Sequence, residues 1–206
     1  KVIVSERATY MINPNFVIIG VILQSIGGLN YLKDTLKGKI QPNKVTWLLW
    51  SIAPMVAFSA EISQGVGIQS LTTFIVGFVP LVIFIASFIN KKAEWKLGHL
   101  DITCCFLSII GILLWYVTKS GNIAIIFSIF ADGLAAIPTV VKSYFFPQSE
   151  NDTVYSFGVV NAAIGLLAIQ TWNFEHYGFP AYLLVLNLIF VLLIRFKLGK
   201  INLLKN

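Results

Sequence analysis

Apolar runs close to the length of a bilayer span recur from one end of the chain to the other. They fall at about 15–32, 45–62, 68–89, 102–117, 123–141, 154–172 and 179–194. A helix crossing a bilayer core needs about 20 mostly apolar residues. Backbone facing lipid must satisfy its own hydrogen bonds, so runs of this kind are expected to be helices. The pattern predicts seven transmembrane helices, with Asn13-Pro14 opening the first and Phe179-Pro180 the last. The connections are short, which makes sequential helices antiparallel neighbours. No soluble domain, linker or low-complexity tract interrupts them.

Composition supports the same class. The 206 residues are 57% hydrophobic and 12% charged, with a mean hydropathy of +0.81. Soluble domains carry about 25% charged residues. A cleaved signal peptide cannot account for so many runs. The net charge of +6 would suggest nucleic acid in a soluble protein; here the basic residues read as loop charges, and no nucleic-acid partner is expected. Twelve of the fifteen fall on one side of the predicted spans: Lys33, Lys37, Lys39, Lys44, Lys91, Lys92, Lys96, Lys142, Arg195, Lys197, Lys200 and Lys205. Lys1, Arg7 and Lys119 fall on the other. Cytoplasmic loops attract Lys and Arg, so the N-terminus is expected outside and the C-terminus in the cytoplasm, which requires an odd number of helices.

An internal repeat organises the chain. At an offset of 108 residues, Gln24 matches Asp132, Gly27-Gly28 matches Ala135-Ala136, and Asn30-Tyr31 matches Pro138-Thr139. Asn43 matches Asn151, Trp47 matches Tyr155 and Pro54 matches Ala162. The register is free of gaps through two helices and their loop. The first three helices (residues 1–97) and the last three (residues 121–206) then form two three-helix bundles, with helix 4 (residues 98–120) as a linker. A three-helix unit ends on the side opposite its start, and the linker returns the chain, so the repeats are expected to be parallel.

The run Ile137-Pro138-Thr139-Val140-Val141-Lys142 resembles the "PQ-loop" signature, Leu-Pro-Gln-Val-x-Lys, of the SWEET, SemiSWEET and PQ-loop transporters. The 3+1+3 plan and the outside N-terminus resemble that superfamily over nearly the whole chain. Thr139 stands where glutamine is usual, and the first repeat has Asn30-Tyr31 in place of Pro-Gln. The seven-helix plan is also similar to that of the nicotinamide riboside transporters. The resemblance implies a small-solute carrier working by alternating access, as a uniporter or with proton coupling. It also implies a midplane site for a sugar, amino acid or vitamin. Cargo receptors share this architecture, so a receptor or scaffold without transport activity is the alternative.

Four polar side chains fall near the middle of predicted spans: Gln24, Asp132, Asn161 and Asn187. Transporters built from such repeats bind substrate at that level. In the resembled pattern an asparagine of the last helix lines the sugar site, and Asn187 takes that place. Each amide is equally suited to a plain interhelical hydrogen bond. Asp132 stands apart, because a carboxylate at mid-membrane is costly and such residues mark ligand or proton pathways. It is suited to binding a cationic group or a proton, or to bonding a neighbouring backbone. Trp50, one turn deeper than Trp47, is placed to stack on a solute. Trp47 and Tyr155 read as interfacial belt residues. Pro54, Pro80 and Pro138 loosen their helices and read as hinges or static kinks. Asn43 and Asn151 read as N-caps, with Asp152 in the first turn of its helix. The small residues Gly27, Gly28, Ala135 and Ala136 read as packing positions. Cys104 and Cys105 read as apolar fillers.

Metal, cofactor and enzymatic chemistry find no support in the sequence. His99 and His176 are isolated, and no phosphate loop or nucleophile triad is present. The last span has no lysine for a retinal Schiff base. Two fused repeats make a monomer sufficient, and an oligomer is equally compatible with the sequence.

Overall fold

The computed structural model describes residues 11–63, 68, 70–89, 95–118, 121–169, 172 and 174–199. Among these the chain is all-helical, without strands. Seven α-helices follow one another: α1 (Val17–Leu36), α2 (Lys44–Ser63), α3 (Ser70–Ala86), α4 (His99–Thr118), α5 (Gly121–Phe145), α6 (Thr153–Leu167) and α7 (Phe174–Ile194). All seven predicted helical segments are present. Lys1, Arg7, Lys91, Lys92, Lys119, Lys200 and Lys205 lie outside the described residues, as do the side chains of Glu61, Glu175 and His176.

Local sequence accounts for several helix ends. A 3-10 turn at Pro14–Phe16 leads into α1, and the Asn13 side chain accepts the N–H of Asn15 at 2.9 Å. Gly38, with φ 67°, closes α1. Its N–H donates to the Thr35 carbonyl and the N–H of Lys39 to that of Asp34, the two bonds of a glycine-terminated helix end. The Asn43 side chain accepts the N–H groups of Val45 and Thr46, capping α2. Asn151 accepts the N–H of Thr153 at 2.8 Å at the start of α6. At α4 the Asp101 carboxylate reaches back to the N–H of Gly98 at 2.6 Å.

Several boundaries differ from expectation, those of α6 and α7 the most. α7 starts at Phe174, so Pro180 lies seven residues into the helix rather than opening it. Aromatic contacts of Tyr177 with Trp172 and Phe174 support the added turns. α6 stops at Leu167, short of the predicted 172.

Helices α1 and α2 both pack on α3, and α5 and α6 both pack on α7. The two groups meet where α1 lies against α6 and where α2 lies against α5. α4 runs along α5 and touches α2. Between the groups sits a core that includes Tyr31, Trp47, Val79, Ile83, Tyr155 and Phe190. Close approach depends on small residues. A Cβ on Gly27 would meet the Val154 backbone at 3.0 Å, and one on Gly28 would meet Val79 at 2.6 Å. Ala135 and Ala136 are each buried. Cys104 and Cys105 are free thiols, the former buried.

The outer surface is apolar. Each of the seven helices leaves large hydrophobic side chains exposed, among them Ile22, Ile52, Phe78, Phe106, Phe130, Val160 and Val185. Among the described residues one helix, α7, is both long and apolar enough to cross a membrane, through Tyr177–Ile194. α3 and α6 are apolar but shorter.

Candidate functional site

A cavity of about 360 Å³ lies between the two helix groups. Its lining repeats the sequence offset. Gln24 and Asp132 both line it, as do Trp47 and Tyr155, and Trp50 and Gly158. So do Pro54 and Ala162, Thr72 and Pro180, and Val79 and Asn187. Six pairs of residues 108 apart therefore face one space. The members of a pair differ in chemistry. The acid, two asparagines and Tyr155 come from α5–α7, whereas both tryptophans come from α2.

All five predicted binding residues, Gln24, Trp50, Asp132, Asn161 and Asn187, line this cavity. On α7 the spacing of Pro180, Leu183, Asn187 and Phe190 places them on one helical face, and all four line the cavity. Asn187 donates its amide N–H to the Leu183 carbonyl one turn back, at 2.8 Å, which leaves its Oδ1 free of that bond. Gly158 makes room for this amide: a Cβ there would lie 2.5 Å from Asn187 Oδ1. Asn161 is buried and packs against Gly20 of α1, where a Cβ would collide with its amide oxygen. Gln24 has its Oε1 buried with no hydrogen-bond partner.

Among the described residues the Asp132 carboxylate bonds no backbone group. Its Oδ2 accepts the hydroxyl of Tyr182 at 2.7 Å, linking α5 to α7. No Lys or Arg side chain pairs with it among the described residues. The carbonyl of Asp132 faces the Trp50 indole N–H at 3.4 Å. Tyr182 was not legible as a partner. Its only signal is a hydroxyl in an apolar run five residues before Asn187.

Trp47 and Tyr155 are not belt residues. They are 2% and 3% exposed and form one wall of the cavity. Depth along a helix gives the level of a residue but not the direction it faces, and both face inward. Tyr155 stacks on Phe190 with ring centroids 4.3 Å apart, and Trp50 meets Phe190 edge-on at 5.8 Å. Beyond this wall lies Tyr31, fully buried, its ring 4.7 Å from that of Trp47.

A charged cluster sits behind the same wall. Glu150 accepts the hydroxyls of Tyr31 and Tyr155 and pairs with Lys142. Lys142 also donates to the Gln41 carbonyl and lies over the Trp95 ring at 5.1 Å. Both side chains of the ion pair are fully buried. Lys142 is therefore not the solvated loop charge expected of it. A lysine stem at the end of α5 reaches inward because Glu150, on the following loop, is folded back over it. This cluster ties α1, the α1–α2 loop, α5 and α6 together at one end of the cavity.

Of the predicted hinges, Pro54 and Pro80 line the cavity within α2 and α3. Pro138 lies inside α5 and is buried away from the cavity lining. The adjoining turn of α5 is braced from α2. Thr46 donates its hydroxyl to the Ala135 carbonyl at 2.8 Å, and Thr139 donates to Thr46 at 3.0 Å. That bond ties Thr139 of α5 to α2. Among the described residues no group of three His, Cys, Asp or Glu side chains could hold a metal ion.

No protein-family model, no curated protein and no solved structure matches this chain.

Proposed function

We propose that the chain is a multi-pass membrane carrier that takes a small solute through the central cavity by alternating access. The observation that carries this reading is the lining itself. One polar-and-aromatic space draws its residues from two halves of the sequence at a constant offset. Substrate sites of transporters built from repeats lie between the repeats in this way.

Further features support the membrane arrangement. Exposed apolar side chains on all seven helices suit a lipid bilayer as solvent. The pairings among the six helices other than α4 are unchanged if α1, α2 and α3 are exchanged for α5, α6 and α7, because α1 on α6 becomes α5 on α2. Two parallel bundles with α4 as a linker, the 3+1+3 plan resembling SWEET and PQ-loop proteins, have that property. With the basic loops in the cytoplasm, the Glu150 cluster closes the cytoplasmic end of the site. Binding and passage are then the function, with no bond chemistry, and a proton is a candidate co-ligand at Asp132.

A receptor on the same fold is favoured by one observation, the tight packing of the Glu150 cluster at one end of the cavity. Counterflow uptake into proteoliposomes separates the two readings. Sugars, amino acids and pyridine vitamins form the panel. Exchange of any of them supports the carrier. Absence of exchange for the whole panel, from protein shown to be folded, supports the receptor.

A further inference from the structure

The carrier reading leaves the solute open, and the cavity narrows it. Asp132 is the one acid in the described lining, and no Lys, Arg or His accompanies it. Among the described residues its carboxylate bonds the neutral hydroxyl of Tyr182 alone. A buried carboxylate is ordinarily matched by a cation or a metal. Among the described residues no positive charge matches it, and space for one lies beside it in the cavity.

Aromatic rings line the same cavity, and Trp50 comes close to Asp132, its indole N–H 3.4 Å from that residue's carbonyl. Trp50, Tyr155 and Phe190 meet one another at ring distances of 4.3 to 6.5 Å. Faces of Trp and Tyr attract a cationic group, and the same faces stack on a ring. The amides of Asn187 and Asn161 and the nearby Gln24 offer acceptors for an ammonium N–H or a hydroxyl. A solute carboxylate or phosphate would face Asp132 with no basic group to receive it. That argues against amino acids, nucleotides and organic acids.

Resting on the carrier reading's assignment of the cavity as the binding site, we infer that the solute is a small organic cation: one positive nitrogen held by Asp132, an aromatic or flat apolar body against Trp50, and no anionic group. The two halves of the repeat divide the recognition. α5 and α7 take the charged end, and α2 takes the body.

Tryptophan fluorescence of the full chain in detergent tests this with three ring compounds of one size class: benzyltrimethylammonium, benzyl alcohol and benzoate. The wild type is expected to bind the cation at least about tenfold more tightly than the other two, a factor that corresponds to about 1.4 kcal/mol. Equal binding of all three, preference for benzoate, or no binding of the cation overturns the inference. In Asp132→Asn the amide oxygen still accepts the Tyr182 hydroxyl. Cation affinity should therefore fall by about tenfold or more at an unchanged melting temperature. An unchanged affinity overturns the inference, and the comparison of the three compounds on wild type decides it if that variant does not fold. Proteoliposome exchange with the same cation keeps the two readings apart. Selective binding without exchange defeats the carrier and leaves the cation site standing. Exchange of a neutral solute by protein that ignores the cation does the reverse.

Discussion

Asn43 and Asn151 stand 108 residues apart and do the same work twice. Each accepts a backbone N–H at the start of a helix with its side-chain oxygen, Asn43 as the N-cap of α2 and Asn151 one residue ahead of the Asp152 N-cap of α6. Each donates its amide N–H to a carboxylate elsewhere in the chain, Asp101 for Asn43 and Asp34 for Asn151. A cap alone is worth about 1 kcal/mol. Asn43→Ser keeps the cap and loses the link to Asp101, so it should cost less than Asn43→Ala. Asn43→Asp also keeps the cap but sets a second carboxylate against Asp101, and should be the most destabilising of the three. Thermal unfolding in detergent ranks them. If aspartate is tolerated best, Asp101 is not a carboxylate partner there.

Glu150 should tolerate loss of its charge poorly when Lys142 remains. Removing one member of a buried pair strands the other, at about 3–5 kcal/mol, whereas replacing both with apolar groups is often near neutral. Glu150→Gln is therefore expected to be less stable than the double variant Glu150→Gln with Lys142→Met. Melting temperatures of the two proteins check this. Equal or reversed stabilities would mean that the pair is solvated.

Gly158 and Gly165 lie two turns apart on α6 and should answer differently to one methyl group. A Cβ at Gly158 would press on the amide of Asn187, while one at Gly165 has nothing within 4 Å. Gly158→Ala should cost about 1–3 kcal/mol through overpacking. Gly165→Ala should be neutral or slightly stabilising, by helix propensity. Chemical or thermal unfolding gives both values, and a neutral Gly158→Ala would place Asn187 elsewhere.

Orientation is tested by fusions at the C-terminus. A fluorescent protein that matures only in the cytoplasm should fluoresce there, and alkaline phosphatase at the same position should stay inactive. The opposite result would reverse the assignment drawn from the basic loops.

Helix number and the lining of the cavity were legible because both are periodic. Apolar runs fixed the seven segments, and the offset between Gln24 and Asp132 pointed to residues that share one cavity. What escaped was direction and long-range pairing. Trp47 and Tyr155 have the right depth for an interfacial belt, yet they turn inward onto Tyr31 and Phe190. Lys142 resembles any other loop lysine until Glu150, eight residues on, is folded over it. Tyr182 reaches Asp132 from another helix, and nothing local in α7 announces it. The early start of α7 escaped for a related reason. A proline is a strong local sign of a helix start, but α7 begins six residues before it, where Tyr177 packs on Trp172 and Phe174.

Where α1 meets α6, Gly20 and Gly27 bring bare backbone against the neighbouring helix. Side chains of α6 enter the space these glycines leave: Asn161 sits where a Cβ on Gly20 would lie, and Phe157 where one on Gly27 would. A methyl group at either position would have to displace a side chain of the other half. The seam is fitted knob into hole, and what α1 lacks sets the spacing of the two halves.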